Sequence, residues 1–355
     1  MTSSPVPGLR PDAELAQVIA HANRSDNEKI EYIRAKEAFI IEYVRCEKMR
    51  SMGLWQWAKE RIASCCGVWE RGDATMVPYT PRARVSDREV DHGVDGVIYH
   101  GNTLLVRVFT PGVKEFVQWM KDTKKKFLFL TNNSAPTPRE LQQKLARLGI
   151  HVDESHFYTS AICTAKFLST QKPGGSVYAI GEPGLHYALY SQGFDMNEVN
   201  PDFVVVGEGS GLNYEKMARA VKLISAGAKL IGTNPDVNAV AEHCLVPACG
   251  AFVSAIELAS GKKAFFCGKP TSLMMRYAQR ILGCSRDAVC MVGDRLDTDV
   301  LGGIYAEIDT VLVLSGVSKR EDLANVAYAP YVVVDGVGSL VPPSSSSVMQ
   351  AANES

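Results

Sequence analysis

Three short stretches of the sequence gather side chains that could handle a phosphoryl group. The apolar run Ala288-Val-Cys-Met-Val292 leads into Gly293-Asp294-Arg-Leu-Asp297-Thr298-Asp299. Carboxylates packed this closely suit Mg²⁺, although a turn followed by an acidic helix start is an equal reading of that stretch alone. Phe127-Leu-Phe-Leu130 ends in Thr131-Asn132-Asn133-Ser134, hydroxyl and amide groups fit to hold phosphate oxygens at a helix N-terminus. Taken singly, it would cap the next helix. Ala264-Phe-Phe-Cys267 ends in Gly268-Lys269-Pro270, a lone cation that by default belongs on the surface. The conjunction is more specific than its parts: Mg²⁺ and Lys269 would offset charge on a transferring group while the other donors hold its oxygens. What these three stretches lack is a nucleophile.

Such groups work only if their backbones converge. From about Val97 the sequence alternates short β-rich runs with helical segments. The runs are Lys126–Thr131, Ser176–Ile180, Phe203–Val206, Lys229–Ile231, Ala264–Cys267, Ala288–Val292 and Thr310–Leu314. This alternation predicts parallel sheets covered by helices, in which ligands gather beyond the carboxyl ends of the strands. All three stretches sit at such ends. Upstream, from Asn27 to Trp69, apolar residues including Ile30, Ile33, Phe39, Ile40, Val44 and Trp55 recur mostly at helical spacing among Lys, Arg and Glu. They predict one or two amphipathic helices packed on the main domain or on a second copy.

Composition narrows the class. The 355 residues predict about two domains. With 38 Lys+Arg against 39 Asp+Glu, the net charge of −1 removes the broad basic footprint of a nucleic-acid binder. Nine cysteines without a CxxC pair suggest neither a zinc module nor a disulfide framework, which fits a cytoplasmic setting. No leader-like start or stretch of ~18 apolar residues predicts a membrane segment.

Gly93-Val94-Asp95-Gly96-Val97-Ile98-Tyr99 resembles the first motif of the haloacid dehalogenase (HAD) phosphatases, Asp-x-Asp-Gly-Val after an apolar strand. Thr131, Lys269, and Asp294 with Asp299 resemble that superfamily's second, third and fourth motifs. Tyr178-Ala-Ile-Gly-Glu-Pro-Gly, Asn200-Pro-Asp-Phe-Val-Val-Val-Gly-Glu, Gly232-Thr-Asn-Pro-Asp236 and Pro247-Ala-Cys-Gly250 are similar to the NagD-type, or para-nitrophenyl phosphatase, branch. The resemblance implies an α/β fold: a HAD-like Rossmannoid parallel-sheet core over residues 86–170 and 263–343. An inserted α/β cap spans 171–262, a helical N-terminal extension 1–85 and a flexible tail 344–355. It implies Mg²⁺-dependent hydrolysis of a small phosphorylated metabolite, with no nucleic-acid or membrane partner. A homo-oligomer through the cap or the N-terminal helices is an open arrangement. Asp95 would exchange the proton and, with Asp294 and Asp299, form the metal site. Thr131 and Lys269 would hold the phosphoryl group, and Asn132 and Asn133 would contact substrate.

The same resemblance exposes departures. Gly93 stands where the attacking aspartate belongs, and glycine can neither attack nor ligate. Ser86-Asp-Arg-Glu-Val-Asp-His92 is too polar for a buried central strand. Asp91, four residues before Asp95 on an extended segment, lies about 13 Å back. Val106-Arg-Val-Phe-Thr110 is an extra piece before Pro111-Gly112, and Ala306-Glu307 replaces Ala-Gly. Two explanations stay open: a pseudophosphatase acting as a phosphate-ester sensor or scaffold, or a gene model with mis-joined sequence before Val94 and near Val106. From a third class, Gly207-Glu-Gly209-Ser-Gly211 after an apolar strand imitates a dinucleotide fingerprint, but its third glycine falls at Leu212.

Overall fold

Ser25 begins the first described helix, its hydroxyl accepting from Glu28 N while the Glu28 carboxylate accepts from Ser25 N at 2.7 Å, a capping box that satisfies two otherwise orphaned donors. The computed structural model describes residues 24–42, 97–100, 103–106, 112–241 and 244–343. In chain order the first elements are α1 (Asp26–Ala35), β1 (Ala38–Glu42), β2 (Val97–His100), β3 (Thr103–Val106), α2 (Val113–Asp122), β4 (Lys126–Thr131), α3 (Pro138–Arg147), β5 (Phe157–Thr159) and α4 (Ser160–Gln171). Then come β6 (Ser176–Ile180), α5 (Pro183–Ser191), β7 (Asp195–Met196), β8 (Phe203–Val206), α6 (Tyr214–Ser225), β9 (Lys229–Gly232), β10 (Asn238–Ala241), β11 (Cys244–Pro247) and α7 (Cys249–Ser260). The last are β12 (Phe265–Phe266), α8 (Ser272–Leu282), β13 (Val289–Gly293), α9 (Leu301–Tyr305), β14 (Asp309–Val313) and β15 (Val332–Val334).

The main sheet has the order β15-β14-β13-β1-β4-β5 and is parallel throughout. Its centre corrects the sequence reading, which places residues 38–42 in a helical extension. Ala38–Ile41 pairs with Val289–Val292 on one side, and Ala38–Glu42 pairs with Lys126–Leu130 on the other. The physical reason is burial on both faces. Ala38 and Ile40 join Leu128, Leu130, Val289 and Met291 in one cluster, while Phe39 stacks edge-on against Phe116 and Trp119 of α2. Fully burying Phe39 and Ile40 contributes about 1.5–3 kcal/mol each, which a solvent-facing helix would forgo. Ahead of β1, buried Lys36 bonds Asp309 at 2.7 Å and donates to the Asp287 carbonyl. Arg34 donates to the carbonyls of Ser339, Leu340 and Val341. The described part of the proposed extension is therefore built into the core. Gly93, Asp95 and residues 43–92, 107–111 and 344–355 lie outside the described residues.

The second sheet, β12-β9-β8-β6-β7, is also parallel. One face packs Val204, Val206 and Leu230 against Leu223 and Ile224 of α6 and Val253 and Ile256 of α7. The opposite face, with Val177, Phe203, Val205 and Ile231, belongs to the cluster that also holds Leu128, Leu130 and Met291. Phe265–Phe266 pairs with β9, so the second sheet reaches past the expected boundary at 262 into the segment assigned to the core. In addition, β2 pairs antiparallel with β3, and β10 pairs with β11. Among the described residues no helix is long and apolar enough to cross a membrane, and Cys163, Cys249, Cys267, Cys284 and Cys290 are free thiols.

Candidate active site

Three strands deliver their carboxyl ends side by side. In the centre is β1, with β4 bringing Thr131 on one flank and β13 bringing Gly293-Asp294 on the other. Adjacent strands lie about 4.8 Å apart, so Thr131 and Asp294 stand roughly 10 Å from each other across the central strand. Lys269 enters from the turn after β12. Its side chain is 1 % exposed and meets fully buried Asp299 at 2.8 Å, Nζ to Oδ1. Burial pulls the ammonium below its ordinary value, and the Asp299 carboxylate opposes that pull.

Asp299 has little left for another ligand. Its second oxygen accepts from the backbone N–H groups of Asp294 at 3.2 Å and Arg295 at 3.0 Å. These contacts give Asp299 a holding role for Lys269 and the Asp294 loop. Asp297 turns outward into a two-bond contact with Arg295. Asp294 accepts from Val317 N at 2.6 Å, and burial, then the Asp299 charge, push its carboxyl up. A divalent cation would relieve that cost, and a hard oxygen donor fits Mg²⁺. Among the described residues, no three metal-ligating side chains come together; Asp95 lies outside them.

Asn132 and Asn133, expected to face substrate, are engaged within the protein. Asn132 Oδ1 accepts from Lys269 N at 2.8 Å, and its Nδ2 donates to Lys269 O at 3.0 Å and to Asp236 Oδ2 at 3.1 Å. All the hydrogens of that amide are used. The residue clamps the lysine loop to the Thr131 loop. Asn133 Oδ1 accepts from Ala135 N, and Thr131 Oγ1 accepts from Asn133 N, which shapes the turn.

Several site residues carry no charge and escape a search of the sequence for chemistry. The loop after β14 supplies Val317 N to Asp294 and the Ser318 hydroxyl to Leu296 N. A Cβ on Gly316 would lie 1.9 Å from Asp294 Oδ2, so only glycine permits that approach. From the second sheet, Asn234 donates to Asn132 O at 2.7 Å. Asp236, whose carboxyl burial raises against the donation from Asn132, completes the junction. In the sequence, this pair is signalled by the Gly232-Thr-Asn-Pro-Asp236 stretch. The glycine-rich loop after β8 is likewise occupied: Gly207 N donates to Ile180 O, Glu208 N to Ser134 Oγ and Ser210 N to Glu182 Oε1. Those amides are not free to cradle a dinucleotide.

A parallel α/β sheet with a threonine loop and an acidic loop at its strand ends, joined by a lysine from the turn after β12, has the parts of a phosphoryl-transfer site. The sequence profile of the haloacid dehalogenase-like hydrolases matches residues 92–195, and a second HAD-hydrolase-like profile matches 266–340. The chain is 38 % identical to the ribonucleotide monophosphatase NagD of Escherichia coli over 247 residues, 70 % of this chain and 95 % of that one. It is 36 % identical to the 5′-nucleotidase YutF of Bacillus subtilis, with the same coverage, and 36 % identical to a dihydroxyacetone phosphatase of Corynebacterium glutamicum over 70 % of this chain and 88 % of that one. Among solved structures, a 4-nitrophenylphosphatase from Thermotoga maritima superposes with a TM-score of 0.67 at 28 % identity, covering 87 % of this chain and 98 % of that one. NagD itself gives 0.61 at 38 % identity over 69 % and 94 %. The chain belongs to the haloacid dehalogenase-like hydrolase family, in its NagD-type phosphatase branch.

Proposed function

We propose that the chain is a Mg²⁺-dependent hydrolase of small phosphate monoesters, of the nucleotide or sugar phosphate kind. The observation that carries this reading is the buried Lys269–Asp299 pair, clamped by Asn132 to the Thr131 loop and set beside Asp294. Lys269 together with a divalent cation on Asp294 would offset the charge of a phosphoryl group at these strand ends. The relatives' names, a ribonucleotide monophosphatase, a 5′-nucleotidase and a dihydroxyacetone phosphatase, support the substrate class.

In this mechanism Thr131 and Lys269 hold the phosphoryl oxygens, and Asp299 holds Lys269. Asp294 and Asp95 would hold Mg²⁺, which offsets charge on the transferring group. Asp95 gives a proton to the leaving alkoxide and later takes one from water. Gly93 supplies no attacking group, so turnover needs a carboxylate from elsewhere in the chain. Without one, the protein is a phosphate-ester sensor that binds and does not hydrolyse.

Purified protein assayed with para-nitrophenyl phosphate and a panel of nucleoside and sugar monophosphates separates the two. Hydrolysis that requires Mg²⁺ and is lost in Asp294→Ala supports the enzyme. Ligand-dependent thermal stabilisation without hydrolysis supports the sensor. Absence of both hydrolysis and stabilisation would remove both readings.

A further inference from the structure

We propose that a cavity beside the edge strand of the second sheet binds a small aromatic acid, a flat ring system carrying one anionic group. The inference is independent of the phosphoryl-transfer reading, because Thr131, Lys269 and Asp294 take no part in the cavity.

The cavity measures about 530 Å³, within the roughly 300–1,000 Å³ usual for small-molecule sites. Its lining draws on the first residues of three neighbouring parallel strands, Phe203 of β8, Lys229 of β9 and Phe265 of β12, and on Phe167 and Gln171 of α4. It therefore sits at the end of the second sheet opposite the carboxyl ends of those strands.

The apolar part has a floor and a wall. Phe203, Leu230 and Ile231 form the buried floor. Phe167 and Phe265 form the wall, their ring centroids 4.7 Å apart and their planes 21° from parallel. Even so, Phe265 keeps 46 % of its surface exposed. An aromatic ring left partly in water inside a concavity offers a face that a ligand can cover, and a second flat ring extends such a stack with favourable geometry. The approach is open on one side, since a Cβ on Gly227, in the lining, would meet nothing within 4 Å.

Charge decides the rest of the ligand. Every charged side chain in the lining is a lysine: Lys229, Lys262 and Lys263. Lys263 bonds Glu257 at 3.0 Å, and Glu257 also accepts from Ala264 N at 2.7 Å, which ties the turn before β12 to α7. Among the described residues, the side chains of Lys229 and Lys262 have no hydrogen bond or ion pair. Two uncompensated ammonium groups beside an apolar floor repel a cation and complement an anion. Lysine stems can lie along apolar surface while their heads reach such a group. The combination of ring face and ammonium selects a ligand that is flat and apolar at one end and acidic at the other.

Titration calorimetry of the full chain with 2-naphthoate tests this. One site per chain is expected, with Kd about 0.1–1 mM for a ligand of that size. The uncharged analogue 2-naphthalenemethanol should bind about tenfold more weakly. Lys229→Glu combined with Lys262→Glu should weaken 2-naphthoate about tenfold or more, and Phe265→Ala by a similar factor. Both lysines are exposed, so their double variant should keep the parent melting temperature, and lost binding then reports the site rather than the fold. If Phe265→Ala does not fold, the lysine variant and the uncharged analogue decide. Absence of saturable binding, binding indifferent to the lysine reversal, or equal affinity for the alcohol overturns the proposal. Decanoate tests the ring: if that flexible chain binds more tightly than 2-naphthoate, the aromatic assignment is wrong.

Discussion

At the scale of single residues, Asn132 carries more of the site than its neutral side chain suggests. It satisfies both backbone groups of Lys269 and one oxygen of Asp236. In Asn132→Ala those buried groups lose their partners, at about 1–3 kcal/mol each, so the melting temperature should fall and phosphate-analogue binding should weaken with it. Unchanged stability would mean the clamp is dispensable. Gly316→Ala tests the opposite flank: a methyl 1.9 Å from Asp294 Oδ2 must displace that carboxylate. We expect a raised Mg²⁺ requirement in any hydrolysis and weaker Mg²⁺-dependent stabilisation; an unchanged Mg²⁺ titration would disprove it. The difference in legibility between these positions has a physical basis. Thr131, Lys269 and Asp294 stand out because charge or hydroxyl follows directly on an apolar strand. An amide that binds ligand and one that binds backbone look alike in a sequence, and Gly316 acts only through what it lacks.

At the scale of elements, β1 marks the limit of periodicity. Ile33, Phe39 and Ile40 fit a helical stripe, but Ala38-Phe-Ile-Ile41 is also a four-residue apolar run, and runs that short do not distinguish strand from buried helix. Pairing on both edges decided the matter, and no local signal reports partners at positions 126 and 289. Lys36 just before the strand gives a test. Burial pulls its ammonium down, but the Asp309 carboxylate and the Tyr32 hydroxyl outweigh that pull and leave it above the ordinary 10.5. The pair's contribution is therefore complete below about pH 10.5 and fades as pH rises through the higher folded value. With Asp309 27 % exposed, Lys36→Met should cost about 1–3 kcal/mol, less than a fully buried pair. Urea midpoints at pH 8 and pH 11.5 should converge between the two proteins at the higher pH. A gap of constant size would show that the charge does not anchor the strand.

For the molecule as a whole, the second sheet shares a buried cluster with the main sheet. Val177, Leu185, Phe203, Val205 and Ile231 of the second sheet's side pack in the cluster that contains Leu130, Met274 and Met291 of the main sheet's side. At the same boundary Gly184 N donates to Ala135 O at 2.8 Å, and a Cβ there would lie 2.6 Å from that oxygen. Ser134 likewise receives Glu208 N. A hinge that lifted the second sheet away would expose this cluster, at about 25 cal/mol for each Å² of apolar surface. Substrate selection by residues 171–262, if it operates, must then come from loops such as Thr233–Asp236 rather than from separation of the sheets. The corresponding prediction is a single unfolding transition shared by both sheets. Leu185→Ala removes a fully buried side chain on α5 and should cost about 2–5 kcal/mol. If the two sheets form one cooperative unit, hydrogen exchange should show that loss equally in the slowest amides of β6 and β8 and in those of β4 and β13. Loss of protection in β6 and β8 alone, with β4 and β13 unmoved, would show that the second sheet opens by itself and would return the hinged lid to consideration.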